Sequence, residues 1–183
     1  MNKIIIGFVG ELASGKGCAS EYLIKKYKAG YYIFSSPLRE TAKKLYLEET
    51  RANLQKLSQS LRETFGQDIL AKIIAENVKN DKRKIVIADG IRRFPDIRHL
   101  SKIHGFKLVY VTASENIRFA RIKKRKQYSD DKKNSMAEFK KLQNSEADRL
   151  IKTVAKKAKI VIDNNSTKKD LYKKLDQMIS KLK

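Results

Sequence analysis

Cysteine is nearly missing from this chain: Cys18 stands alone, which excludes a disulfide framework and any cysteine-rich metal site, and fits a reducing compartment. Histidine is almost as scarce, with only His99 and His104, and neither stands at a metal-binding or triad spacing. Nothing in the chain supports nucleophilic catalysis. Long apolar runs are also lacking. The first, Ile4–Val9, ends before Glu11 and is too short for a signal peptide or a membrane span. A cytoplasmic location with no membrane partner is therefore expected. No stretch rich in Pro, Gly or Ser divides the chain and no fixed-period repeat appears, so 183 residues at 41% hydrophobic content read as a single domain over 1–183.

Acidic residues are few. Lys and Arg number 42 against 20 Asp and Glu, for a net charge of +22. The excess runs along both halves, 19 against 11 in residues 1–100 and 23 against 9 in 101–183, rather than gathering in a nucleic-acid-binding tail. Such a surface attracts any polyanion. No basic strand carries the aromatics that stack bases, so a nucleic-acid partner is possible but not favoured.

What the chain does have is glycine in one place. Four of its eight glycines fall between residues 7 and 17, within Gly7-Phe-Val-Gly10-Glu-Leu-Ala-Ser-Gly15-Lys16-Gly17. A GxxxxGK loop between a buried strand and a helix aims backbone N–H groups and a helix N-terminus at an anion, with the lysine reaching the terminal phosphates of a nucleotide. Clustered glycines suit a backbone that bends tightly and approaches a ligand closely.

Short β-branched runs alternate with helical patterns. Strands are predicted at Lys3–Val9, Tyr31–Ser35, Lys84–Ala88, Lys107–Thr112 and Lys159–Ile162. Helices are predicted at Lys16–Tyr27, Pro37–Leu47, Arg51–Phe65, Asp68–Lys79, Pro95–Ile103, Ser114–Lys126, Ser135–Lys156 and Thr167–Leu182. This alternation implies an α/β fold of three layers, with a central five-stranded parallel sheet covered by helices on both faces. The polar stretch 126–135 is the candidate for a small lid, with a plain surface loop as the other reading.

Three further constellations bear on chemistry. Asp89 follows the apolar run Ile85–Ala88, which places a carboxylate at the ligand-binding edge of the sheet, where it suits Mg²⁺ through water or a simple turn cap. Arg118, Arg121 and Arg125 fall within roughly a 60° arc of one helix, suited to phosphate recognition or to an exposed basic face. In Phe34-Ser35-Ser36-Pro37-Leu38-Arg39 a strand gives way to a helix, with Ser35 or Ser36 an N-cap and Arg39 either solvent-facing or turned to a ligand.

Together these residues resemble the nucleoside-monophosphate-kinase group of P-loop phosphotransferases, over nearly the whole chain. The stretch from Gly10 to Cys18 resembles that group's GxxGxGKGT loop. Leu38-Arg39 resembles the segment whose arginine holds the acceptor phosphate, Asp89-Gly90-Ile91-Arg92-Arg93 is similar to DGFPR, and Arg121 with Arg125 have the spacing of the lid arginines. The resemblance implies ATP and Mg²⁺ as cofactors and a nucleotide as the small-molecule acceptor. It implies a phosphate cradle of Gly10, Ala13, Ser14, Gly15, Lys16, Gly17 and Cys18, with Arg121 and Arg125 on ATP. Lys16, Arg93 and Arg125 are then catalytic, and Asp89 holds Mg²⁺ through water. Ser35, Arg39, Arg62, Asp89, Arg92 and Arg93 form the acceptor side, and the acceptor-binding helices span about 36–79. The run Asn53-Leu54-Gln55 to Phe65-Gly66 looks like deoxynucleoside monophosphate kinases, and Ala158–Asn164 resembles the last strand of dephospho-CoA kinases.

Departures are plain. Cys18 stands where threonine is usual and is a poor ligand for hard Mg²⁺; Gly17 removes the hydroxyl other loops place on the metal; Arg92 replaces proline. A monophosphate needs cations and no base, whereas a dephospho-CoA hydroxyl needs a carboxylate. After the second strand the chain offers Ser35-Ser36-Pro37 and no acid. The expectation is transfer of the γ-phosphate of ATP to a (deoxy)nucleoside monophosphate. Dephospho-CoA kinase, an ATPase switch on RNA or the ribosome, and an inactive nucleotide binder are the alternatives. Monomer and dimer are both open.

Overall fold

The computed structural model describes residues 3–124, 135–143 and 149–183. Five strands, β1 (Ile4–Val9), β2 (Gly30–Ile33), β3 (Ile85–Ile91), β4 (Phe106–Thr112) and β5 (Ile160–Asp163), form one sheet in the order β2-β3-β1-β4-β5. Every neighbouring pair is parallel, so all five C-terminal ends leave the same edge. Among the described residues no helix is long and apolar enough to cross a membrane.

The apolar runs explain the layers. Successive side chains of a strand point to opposite faces, and β1 is buried along its whole length. Ile4, Ile6 and Phe8 pack with α1 (Lys16–Tyr27) and α9 (Lys168–Leu182) on one face. Ile5 and Val9 pack on the other face against α2 (Ser36–Lys44), α3 (Arg51–Phe65), α4 (Ile69–Asn80), α5 (Phe94–Arg98) and α8 (Ile151–Ala155). The remaining helices, α6 (Glu115–Lys124) and α7 (Met136–Gln143), follow β4. With a layer on each side, a central strand has no wet face, which is why β1 and β3 read as unbroken apolar runs rather than alternating ones.

The structure departs from the sequence expectation at several points. β3 continues past Ala88: Asp89 pairs with Phe8 and Ile91 with Val9, with Gly90 passed over at φ +89°. This bulge puts Asp89 inside the strand rather than at its end. The span expected as one helix from Ser135 to Lys156 contains α7 and the separate short α8, whose N-terminal turn holds Arg149 and Leu150. The Pro95–Ile103 span divides into α5 and a 3-10 turn at Leu100–Lys102. α2 stops at Lys44, and Tyr46 then turns left-handed at φ 55°. Of the candidate lid only Ser135 is described; 126–134, like Arg125, lies outside the described residues.

A polar staple fixes the far edge. Asp81 receives hydrogen bonds from the Arg83 guanidinium, the Arg83 amide and the Tyr32 hydroxyl, and Arg83 holds its carboxyl down to about 2. A depressed folded-state value stabilises the fold above the unfolded value near 4 and loses that contribution as pH falls toward 2. In acid titrations followed by thermal melting, Asp81→Asn is expected to flatten the loss of stability between about pH 4 and 2. An unchanged acid limb would remove Asp81 from that role.

Candidate functional site

β1 ends into the glycine cluster, and each turn of the loop has a steric cause. A Cβ on Gly10 would sit 2.2 Å from the Val111 carbonyl oxygen, and one on Gly15 would sit 2.1 Å from Asn164 Nδ2, with Gly15 at φ +108°. Ala13 accepts the left-handed region at φ 60°. The Ser14 amide donates to the Glu11 carbonyl at 3.1 Å, closing the curve. α1 then starts at Lys16 with no side-chain cap and no acid in its first turn. Its N–H groups and positive helix end therefore face a concave backbone, an arrangement that favours an anion. The Lys16 ammonium lies across the same curve, donating to the Gly10 carbonyl at 2.5 Å and the Glu11 carbonyl at 3.1 Å. The Ser14 hydroxyl, fully buried beside Gly10, has no partner among the described residues.

The loop is braced from two later segments. Asn164, at the end of β5, donates from Nδ2 to the Ser14 carbonyl at 2.8 Å, and Arg121 of α6 donates to the same oxygen at 3.3 Å and to the Asn164 carbonyl at 2.8 Å. Arg118, expected on the same face, is buried instead, on the carbonyls of Ala113 and Leu12 and the Gln143 side chain. It ties α6 and α7 to the loop. Asn164 was invisible as a brace in the sequence; its one signal is its position just beyond the last strand, at the ligand edge of a parallel sheet.

Asp89 is 5% exposed and lies on the α1 side of the sheet. The Tyr31 hydroxyl donates to it at 3.2 Å, Ser20 more weakly at 3.4 Å, and the Gly90 amide at 2.7 Å. Burial, and after it the Asp89 charge, push the Tyr31 phenol well above its ordinary value, so it remains a donor. Cys18 is partly buried with its Sγ 3.7 Å from the Tyr172 hydroxyl. A Cβ at Gly17 would meet nothing within 4 Å. Space for a metal-binding hydroxyl exists there, but this chain does not supply one.

On the other side of the site, Arg62 of α3 is 7% exposed and donates to Asp96, which is 2% exposed, at 3.2 Å, as well as to Ser58 and the Gln67 carbonyl. The second Asp96 oxygen receives the amides of both Arg92 and Arg93 at 2.9 Å. Arg62 thus bears on the site through Asp96, which pins the turn after β3. Arg39, near the start of α2, pairs with Glu49 at 2.7 Å on the surface. Ser35 is the N-cap of α2 but makes no side-chain capping bond. The five strand ends bring these segments to one edge. β3, which carries the Arg92–Arg93 turn, is the direct neighbour of β1 with its loop.

Glu11 is a candidate site residue that the sequence reading passed over. It is 8% exposed within the phosphate loop, and the Tyr110 hydroxyl donates to both its oxygens at 2.9 and 3.0 Å. An acid inside a GxxxxGK loop was the signal.

The residues fit a polyphosphate: an uncapped helix start, a lysine in the curve and glycines at Gly10 and Gly15, where a side chain would collide with the segments that hold the loop. For a metal the protein gives less. Among the described residues no group of three or more His, Cys, Asp or Glu is placed to hold an ion. Were Mg²⁺ to arrive with the phosphates, Asp89 is the carboxylate at this edge that would hold it, through water, and the metal would supply charge neutralisation there.

Residues 9–140 match the AAA domain family. A UPF0200/UPF0201 protein of Archaeoglobus fulgidus is 30% identical over 182 residues, covering 97% of this chain and 55% of its own length; the chain spans little more than half of that relative. A UPF0200 protein of Methanoregula boonei is 33% identical over 128 residues, 69% of each chain. Among solved structures, a shikimate kinase from Bacteroides thetaiotaomicron superposes with a TM-score of 0.63 at 12% identity, over 97% of this chain and 98% of its own. A gluconokinase from Sinorhizobium meliloti does so with a TM-score of 0.57 at 12% identity, over 98% and 93%. The chain belongs to the UPF0200 family, and its AAA domain is built on the P-loop kinase fold.

Proposed function

We propose that this protein is an ATP-dependent phosphotransferase that moves the γ-phosphate to a (deoxy)nucleoside monophosphate. One observation carries the reading. The phosphate loop and the Arg92–Arg93 turn leave adjacent parallel strands at the same edge, about 4.8 Å apart where they pair. Asp96 holds the second of them in place. β2, on the other side of β3, delivers Ser35 and Arg39 to that edge. Two anions that must meet in line need cations on both, and the shared edge supports assigning Lys16 to the one and Arg92 and Arg93 to the other.

In this reading the loop amides and Lys16 bind the donor phosphates, and Arg121 with Asn164 keep the Ser14 turn closed around them. Arg92, Arg93 and Arg39 neutralise the acceptor phosphate, which is close to dianionic at neutral pH because its second pKa is about 6. No base is required, and β2 is followed by Phe34-Ser35-Ser36 with no acid. Mg²⁺, when bound with ATP, neutralises charge on the β- and γ-phosphates. Arg125, outside the described residues, is assigned to ATP only by its spacing from Arg121 in the sequence.

The Arg39–Glu49 ion pair lies on the surface and is weak, so Arg39 can exchange its partner for an acceptor phosphate at little cost. Arg39→Ala is expected to raise the acceptor KM about tenfold or more and leave the KM for ATP unchanged. Steady-state kinetics with varied monophosphate checks it; an unaltered acceptor KM takes Arg39 out of the site. A second reading, a hydroxyl acceptor such as dephospho-CoA or a sugar acid, is favoured by one feature, the buried Glu11 carboxylate. The fold relatives named as shikimate kinase and gluconokinase are in keeping with it.

A further inference from the structure

A carboxylate inside a phosphate cradle is electrostatically misplaced unless it has its own task. Glu11 follows directly on Gly10, and its side chain is almost wholly buried. Two cations lie along the backbone beside it: Lys16 donates to the Glu11 carbonyl at 3.1 Å, and Arg118 to the Leu12 carbonyl at 3.3 Å. Both of these contacts are to backbone oxygens. Its hydrogen bonds among the described residues come from a single hydroxyl, that of Tyr110. A carboxylate offers about four lone-pair positions, so acceptor capacity is left over in a place where water has little access.

The side on which it lies matters. Tyr110 packs against the same core cluster as α2 (Leu38), α3 (Leu54, Leu57 and Leu61) and α5 (Ile97), and its hydroxyl reaches Glu11. The carboxylate therefore lies on the face of the sheet covered by the acceptor helices, whereas Asp89 lies on the α1 face. Burial pushes the Tyr110 phenol above its ordinary value, so it stays protonated and keeps the carboxylate oriented.

We propose that Glu11, held by Tyr110, accepts a hydrogen bond from a hydroxyl of the phosphoryl acceptor. This rests on the phosphotransfer reading above and adds what the acceptor must carry. A second phosphate would be repelled at this position, while a hydroxyl is welcomed. The hydroxyl has two possible sources. It is a sugar hydroxyl of a monophosphate, which Glu11 then reads for specificity, or it is the group that reacts. In the second case the hydroxyl oxygen bonds to the γ-phosphorus, the bond from that phosphorus to the β–γ bridging oxygen breaks, ADP leaves with the electron pair, and the hydroxyl proton passes to Glu11.

The test uses the full chain with Mg-ATP and three acceptors: a deoxynucleoside 5′-monophosphate, its 2′,3′-dideoxy counterpart, and dephospho-CoA. Glu11→Gln is expected to lower kcat/KM on a hydroxyl-bearing acceptor by about 10- to 100-fold. It should leave the low activity on the dideoxy compound unchanged and ATP affinity undiminished. A sugar hydroxyl shows as a raised KM on the monophosphate. A reacting hydroxyl shows as a fall in kcat on dephospho-CoA and loss of the acid limb of its pH profile. Should Glu11→Gln fail to fold, Tyr110→Phe keeps the carboxylate but loosens it, with a smaller drop expected on hydroxyl-bearing acceptors alone. Equal losses on the deoxy and dideoxy pair, or no loss, overturn the inference while leaving phosphotransfer standing. No transfer by the wild type to any acceptor overturns both.

Discussion

Lys16→Ala is expected to reduce phosphoryl transfer about 100- to 1000-fold, since one preorganised cation on developing charge in a dry site is worth about 3–4 kcal/mol. The side chain is half-buried and spans the loop from the start of α1 to the carbonyls of Gly10 and Glu11. Its loss removes charge from the place where the loop amides and the helix end already converge. Truncation is not expected to unfold the protein, because the glycine geometry and the Asn164 and Arg121 braces hold the loop independently of the ammonium. Lys16→Arg should rescue little, as a planar fork does not substitute for a compact ammonium in so narrow a curve. Turnover at saturating ATP, with thermal melting as a control, checks both variants. Near-wild-type turnover in Lys16→Ala would remove the loop from catalysis.

Arg62→Ala is expected to destabilise the fold by about 3–5 kcal/mol, the usual cost of leaving a buried charge without its partner. Asp96 is 2% exposed, and besides the amides of Arg92 and Arg93 its charge is met by Arg62 alone among the described ion pairs. For a chain of this size that is roughly a 10 °C fall in Tm. Asp96→Asn should recover part of the loss in the double variant, because the two residues form one unit and their effects do not add. The same substitution loosens the turn that carries Arg92 and Arg93, so acceptor affinity should fall with stability. A loss below about 1 kcal/mol would show that Asp96 is compensated elsewhere.

How much of this was legible beforehand differs by residue. α1 and α3 begin and end where the sequence places them, because Gly15-Lys16 and Thr50-Arg51 mark their starts: Thr50 caps α3 by accepting from the Asn53 amide. The parallel sheet followed from apolar runs long enough to be buried on both faces, Ile4–Val9 and Ile85–Ala88. The bulge at Gly90 was not legible, since a glycine after an apolar run reads equally as the end of a strand. Nor was the division of 135–156 into two helices, where neither Pro nor Gly punctuates the sequence. At the site, the loop itself was written in its glycines. The partners of Arg62 and Glu11 were not, because Asp96 and Tyr110 lie 34 and 99 residues away in the chain, and only the order of strands brings them together. Arg39 and Arg62 look alike as sequence, yet one is paired on the surface and the other is sunk in the fold.

The central claim is that the loop around Lys16 holds a donor triphosphate whose last phosphate is handed to an acceptor across the β1–β3 edge. The most direct measurement follows γ-labelled ATP with Mg²⁺ and a panel of ribo- and deoxynucleoside monophosphates, separating the products. Label is expected in a nucleoside diphosphate, with no matching release of free phosphate. Label that appears only as inorganic phosphate, or stays on ATP with every acceptor, would contradict it.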